Sequence, residues 1–421
     1  MAAGNGFLDL LSARGQRGIC SVCSAHPLAV RAAAELAVEG GGLLLVEATC
    51  NQVNQDGGYT GMRPVDFRDF VHGIADRAGL PRARLILGGD HLGPHVWRKL
   101  GAEDAMTRAE IMIAQYAEAG FTKIHLDTSM PCAGDPDILP DKLVAERAAR
   151  LARVAEARHV DAPPFYIVGT EVPVPGGASH GHELAVTLPE AAAQTLAVHR
   201  NAFTDAGLAD AWARVVGLVV QPGVEFDNVG VIDYAPEKAR ALVRWRQQSA
   251  SGIAFEAHST DFQKPEAYRA LVGDGFAILK VGPGVTFALR EAICALAEIE
   301  KVIVAPRVQS QVLEIARAVM HEKPGHWKDY YSGSAAEIEN LLFNSYSDRI
   351  RYYWPEPRIA AAVETLIANL AANPPPDILL SRYLPSQYAR IRAGILPRDP
   401  ESLILDKIRD ALRPYAAACK T

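Results

Sequence analysis

Nowhere does the chain carry the roughly 18 consecutive apolar residues that a membrane-spanning helix requires. Its first eighteen residues include Asp9 and lack a continuous apolar core. Neither a membrane span nor a secretory leader is expected, which points to the cytoplasm. Positive charge is also in short supply. The 43 Lys and Arg residues against 49 Asp and Glu give a formal charge of −6. Without a basic stripe to neutralise a phosphate backbone, nucleic acid is not an expected partner. Six cysteines are scattered at positions 20, 23, 50, 132, 294 and 419, a spacing that suits reduced thiols better than a disulfide framework. Cys20 and Cys23 form a CxxC, but on a strand-like run where positions three apart face opposite sides. That favours buried structural thiols over a zinc or redox pair. No GxxxxGK[ST] segment occurs, so a phosphate loop of the nucleotide-binding type is not expected.

What the chain has is a repeated alternation. Short β-branched or Leu-rich runs fall near 19–25, 43–49, 85–90, 123–127, 164–171, 215–221, 253–258 and 276–281. Amphipathic stretches lie between them, including Pro27 to Glu39, Pro64 to Ala78, Ala105 to Ala119, Lys142 to Ala157, Pro189 to Ala206, Pro236 to Gln248, Pro265 to Val272 and Phe287 to Ile299. Several open with proline, whose missing N–H costs nothing in a first helical turn. Eight strand–helix pairs predict a parallel sheet closed as a (β/α)8 TIM barrel over residues 1–300. A helical C-terminal extension over 301–421 would follow. Its Tyr330-Tyr331 and Tyr352-Tyr353-Trp354 could form a partner surface, although aromatics more often build a segment's own core.

Chemistry gathers where the apolar runs stop, as at the C-terminal mouth of a barrel. The third run ends in Gly88-Gly89-Asp90-His91-Leu92-Gly93. A neutral imidazole suits a metal, and the neighbouring carboxylate can orient it or carry a proton. On a regular strand the two would face opposite ways, so an irregular strand end is required for both to reach the mouth. Asp127 ends the fourth run and Glu171 the fifth, each a candidate acid or base; Glu171 is also a candidate ligand or simply a loop carboxylate. His180 and His182 follow in a polar loop, where an HxH pair can bind metal but is more often solvated. His258 ends the seventh run, with Glu256 two residues earlier on the same face. His91 and His258 around one mouth, with nearby carboxylates, predict a divalent metal, zinc by ligand type, because such sites take about three N/O ligands.

Lys280 ends the eighth run, and an ion-paired or substrate-orienting lysine is favoured over a Schiff base. The glycines at Gly282 and Gly284, opening a helix, match the phosphate cup found after the last barrel strands, or else a tight turn. Glu47, Asn51 and Gln55, in the run Glu47 to Gln55 that starts on the second strand and is followed by Gly57-Gly58-Tyr59-Thr60-Gly61, fit a hydroxyl-rich ligand, as do Ser259 and Asp261 after the seventh. Loop solvation explains them almost as well.

With these motifs the chain resembles the Z-type subunits of class II D-tagatose-1,6-bisphosphate aldolase, of galactitol and N-acetylgalactosamine catabolism, long labelled tagatose 6-phosphate kinases. The resemblance is carried by Glu47 to Gln55, Gly88 to Pro94, His125 to Met130, Thr170 to Gly177 and Glu256 to Asp261, and covers nearly the whole chain. It implies a largely supporting role beside a Y-type catalytic subunit, with a sugar phosphate as ligand. In the wider superfamily an Asp-His pair after strand three supplies proton carrier and zinc ligand, matching Asp90 and His91. A strand-seven ligand matches His258. The strand-six histidine has no counterpart, since Val220-Gln221-Pro222-Gly223 stands there, leaving Glu171 or Gln221 to complete the set. A stand-alone metal-dependent retro-aldol enzyme or C4-epimerase is the alternative expectation; a kinase is not expected. Assembly into a homo-oligomer is left open.

Overall fold

A computed structural model describes residues 3–11, 17–169 and 184–419. Eight parallel strands close into a barrel: β1 (Ile19–Val22), β2 (Leu44–Thr49), β3 (Leu85–Leu92), β4 (Lys123–Leu126), β5 (Phe165–Val168), β6 (Val215–Val219), β7 (Ala254–Ala257) and β8 (Phe276–Val281). Each pairs with its sequence neighbours, and β1 closes on β8 through Ile19 opposite Ile278 and Val22 opposite Val281. All eight stand where the alternation placed them. Helices Pro64–Ala78 and Pro265–Gly273 begin at their proline as expected, whereas the helix after β8 starts four residues earlier than read, at Pro283.

Alternation along the strands sorts the barrel interior into levels. The lower level is apolar: Ile19, Leu45, Ile86, Ile167, Ala254 and Ile278 pack with Phe7, Leu10 and Leu11 of an N-terminal helix, Ala3–Leu11. Two glycines weaken that helix on propensity grounds, so its formation rests on burying this face under the barrel. Two residues further along β2, β7 and β8 the interior turns charged, and Lys123 of β4 joins this level: Glu47, Lys123, Glu256 and Lys280 are all at most 4% exposed. Gly88 makes room for this level, because a Cβ there would lie 2.7 Å from Glu47 Cγ.

After the barrel the described chain is helical to Cys419, apart from short turns. Its last helix, Pro400–Cys419, packs against helices Pro27–Gly40, Pro265–Gly273 and Pro283–Ile303. Tyr415 Oη donates to the Thr260 carbonyl at 2.9 Å. Arg290, fully buried in the helix after β8, reaches Asp348 at 2.8 Å and so fixes the turn Arg349–Tyr352 over the mouth. Of the aromatics expected to build the segment's own core, Tyr331, Tyr353 and Trp354 are buried. Tyr352 instead lines the barrel mouth. Among the described residues, no helix is long and apolar enough to cross a membrane.

Candidate active site

Asp90 and His91 both reach the mouth because β3 is irregular at its end. Its pairing with β4 shifts between Gly89 and Leu92, and His91 takes a left-handed backbone with φ 49°. A non-glycine residue rarely adopts that conformation, and it turns the imidazole to the side that the carboxylate faces.

Three imidazoles meet there. The ring centroids of His91, His125 and His258 are 5.2, 4.9 and 5.4 Å apart in pairs. Each leans on a carboxylate: His91 Nδ1 on Asp127 at 2.8 Å, His125 Nδ1 on Asp90 at 2.9 Å and His258 Nε2 on Glu256 at 3.0 Å. Carboxylate support of this kind fixes the tautomer and orientation of a ligating or proton-transferring imidazole.

Below the imidazoles lies the charged level. Lys123 Nζ binds Glu47 Oε1 at 2.7 Å and Glu256 Oε2 at 2.7 Å. Lys280 Nζ binds Asp90 Oδ1 at 2.8 Å and Glu47 Oε2 at 2.9 Å. Ser21 donates to Glu47 at 2.6 Å. The three carboxylates Glu47, Asp90 and Glu256 against the two ammonium groups leave one negative charge in excess within a nearly dry interior.

These contacts set the protonation states. Burial alone would raise the Asp90 carboxyl, but the charges of His91 and Lys280 hold it well below the usual carboxylate range. Burial also works against Lys280, whose ammonium is nevertheless held well above its ordinary value by Asp90 and its acidic neighbours. A Schiff-base lysine needs the opposite shift, so Lys280 is an ion-paired residue. Burial lowers His258 to about 4, leaving it neutral at pH 7. His91 is raised, with Asp90 and Asp127 overcoming its burial. Burial raises the Cys23 thiol; its Sγ lies 3.8 Å from Asp90 Oδ2. Cys20 and Cys23 are free thiols.

The donor set suits a divalent cation. Asp90, His125, Glu256 and His258 offer ligand atoms all within 4.8 Å of one another. The Nε2 of His125 is buried and has no hydrogen-bond partner among the described residues. His125 Nδ1 meets both the Asp90 carboxylate at 2.9 Å and the His91 backbone N–H at 3.2 Å; in the tautomer that carries its proton on Nδ1, toward Asp90, Nε2 offers the cluster a lone pair, the arrangement of a supported metal ligand. Two imidazoles and two carboxylates are a borderline donor set of the sort that zinc and its neighbours take. This set differs from the expected one. His258 belongs to it, whereas His91 lies outside it, turned to Asp127. His125, overlooked as a ligand, and Glu256 take the remaining places. Glu171, His180 and His182 lie outside the described residues.

Above the cluster opens a cavity bordered by Asn51, Gln52, Tyr59, Ser259, Asp261, Lys280 and Gly282, and by Arg351 and Tyr352, which nothing in the sequence pointed to. Three expectations need correction. Gln55 points away from the mouth and donates to the Arg108 carbonyl at 3.0 Å, and Gln52 stands at the wall in its place. Gln221 folds its amide oxygen onto Gly223 and Val224 N–H at 2.8 and 3.1 Å, shaping the turn after β6, and does not border the cavity. Glu47 is buried beneath the cavity, where it engages Lys123 and Lys280.

The phosphate cup is also filled from within. Asp261 Oδ1 accepts from Gly282 N–H at 3.0 Å and Gly284 N–H at 2.6 Å, so a carboxylate takes the helix N-terminus where an external anion was expected. Burial raises this carboxyl to about 6. A raised folded value means stability is lost as pH climbs from the unfolded value near 4 through 6. Asp261→Asn, which keeps an acceptor oxygen, should therefore gain stability relative to the parent between pH 5 and pH 8 by about 1–2 kcal/mol. Urea melts of both proteins at the two pH values measure this. A difference that does not change with pH would contradict it.

The sequence profile of the D-tagatose-1,6-bisphosphate aldolase subunit GatZ/KbaZ-like family matches residues 8–420. Two relatives, each named D-tagatose-1,6-bisphosphate aldolase subunit GatZ and coming from Salmonella dublin and Salmonella enteritidis PT4, are 52% identical over 408 residues, spanning 96% of this chain and 96% of their own. A crystal structure described as that of a probable tagatose 6 phosphate kinase from Sinorhizobium meliloti 1021 is 52% identical, with a TM-score of 0.89 over 96% of this chain and 100% of its own. The chain belongs to the D-tagatose-1,6-bisphosphate aldolase subunit GatZ/KbaZ-like family.

Proposed function

We propose that the chain is a supporting, non-catalytic subunit in a cytoplasmic D-tagatose-1,6-bisphosphate aldolase system of galactitol or N-acetylgalactosamine catabolism. It would bind a Y-type catalytic subunit and keep a divalent ion, zinc, and a sugar phosphate in its own barrel mouth. The observation that carries this reading is the 52% identity, across 96% of both chains, with relatives named as subunits of that aldolase.

A second reading is favoured by the state of the mouth: a stand-alone retro-aldol enzyme or C4-epimerase on ketohexoses or their phosphates. Asp90, His125, Glu256 and His258 would hold the ion, which when bound supplies Lewis acidity toward a ketose carbonyl. Asp90, kept ionised by His91 and Lys280 and bordering the cavity, is placed to take and return the proton of a substrate hydroxyl. His91, held by Asp127, is a second proton carrier at the same wall.

Turnover of tagatose 1,6-bisphosphate and of free tagatose, by the purified chain alone and with a Y-type subunit, separates the two. An inert chain that raises the partner's turnover supports the subunit reading. Turnover by the chain alone, lost in Asp90→Asn, replaces it with the second. A kinase has less support, since the sequence carries no GxxxxGK[ST] loop. ATP-dependent phosphorylation of tagatose 6-phosphate would overturn both readings.

A further inference from the structure

With the helix N-terminus after β8 closed by Asp261, a phosphorylated ligand needs another cation. Among the described residues bordering the mouth, the side chains of fixed positive charge are Lys280 and Arg351. Lys280 is committed to Asp90 and Glu47. Arg351 comes from the segment after the barrel. Its guanidinium donates to the carbonyl oxygens of Ser347 and Asp348 and to Tyr352 Oη, the last at 2.9 Å. These three bonds leave two of its five N–H donors, and among the described residues no carboxylate forms an ion pair with it.

The group is also held in place. It lies 4.4 Å from the centroid of the Tyr352 ring, which meets Tyr59 edge-on at 4.9 Å, and both tyrosines border the cavity. The turn carrying it is fastened to the barrel by the buried Arg290–Asp348 pair. A guanidinium fixed in this way binds a phosphate with little further loss of freedom, and its planar fork matches phosphate oxygens better than an ammonium does.

We propose that Arg351, delivered to the mouth by the segment after the barrel, anchors a phosphate monoester of a ketose phosphate. The segment then completes the ligand site of the barrel. The assignment rests on the reading that the mouth takes a sugar phosphate.

Two measurements on the full chain test it. In calorimetric titration, Arg351→Gln should weaken tagatose 1,6-bisphosphate by about tenfold or more. Arg351→Lys should recover part of that loss, and free tagatose should be unaffected. Without any substitution, inorganic phosphate should slow phenylglyoxal modification of Arg351, read by mass spectrometry; this arm decides if the Gln variant does not fold. A folded Gln variant that binds the bisphosphate as the parent does, or phosphate that leaves Arg351 unprotected, overturns the assignment. A parent chain that binds no bisphosphate while phosphate still protects Arg351 supports the anion site and sinks the sugar-phosphate reading instead.

Discussion

Replacing Lys123 with methionine should destabilise the protein by about 3–5 kcal/mol at pH 7, the cost of leaving buried charges unpaired. Lys123 is fully buried, and its ammonium bridges Glu47 and Glu256 at 2.7 Å each. The substitution keeps most of the side-chain volume, so the loss would be electrostatic, not steric. Lys280 contacts both carboxylates, at 2.9 and 3.6 Å, but is shared with Asp90 and cannot compensate all three. The pH dependence has a definite sign. Burial would raise the Glu256 carboxyl, yet Lys123 foremost, then Lys280, hold it well below its ordinary value. Such a group contributes stability above its unfolded value near 4.5 and loses it as pH falls through the folded value. The gap between parent and Lys123→Met should therefore narrow as pH drops below about 4.5. Urea unfolding at pH 7 and pH 4 gives both quantities. A loss under 1 kcal/mol at pH 7 would mean that water reaches these groups and that the interior is not dry.

The second large effect concerns His125. If Asp90, His125, Glu256 and His258 hold a divalent ion, saturating the parent with zinc should stabilise it over the chelated protein by about 2.7 kcal/mol at a free concentration one hundred times Kd. In His125→Ala that increment should vanish. Loss of groups that merely support a ligand already weakens binding 10–100-fold, and loss of the ligand itself weakens it further. Absolute stability is not the readout, because the substitution also removes the imidazole from Asp90. The readout is the difference between zinc and chelator within each protein, taken from thermal melts. An equal increment in both would place the ion elsewhere.

The barrel was legible because parallel strands are buried on both faces and read as apolar runs between amphipathic helices. The mouth was legible only in part. Asp90 and His258 stand where a strand end announces them. His125 shows only through period two: Lys123, His125 and Asp127 fall on the inward face of β4, behind the apolar Ile124 and Leu126. Reading that alternation would have supplied the third imidazole and half of the lysine bridge. The room that Gly88 leaves beside Asp90 is filled by Glu47. Gln221, Gln55 and the glycines at Gly282 and Gly284 share one physical circumstance. Polar groups at loop ends were read as facing a ligand, and the chain satisfies them itself through Gly223, the Arg108 carbonyl and Asp261. Arg351 gave no sign in sequence, since some 70 residues separate it from β8 and only the packing of the C-terminal segment brings it to the mouth. The helix Ala3–Leu11 was missed because tertiary burial, not propensity, forms it.

That the mouth cluster is a divalent cation site is tested most directly by counting ions. The purified chain, loaded with zinc at pH 7.5 and freed of unbound metal, should retain one equivalent per chain by plasma mass spectrometry, and His125→Ala should retain none. A parent chain that emerges without metal, or a variant that keeps its full equivalent, would contradict the account.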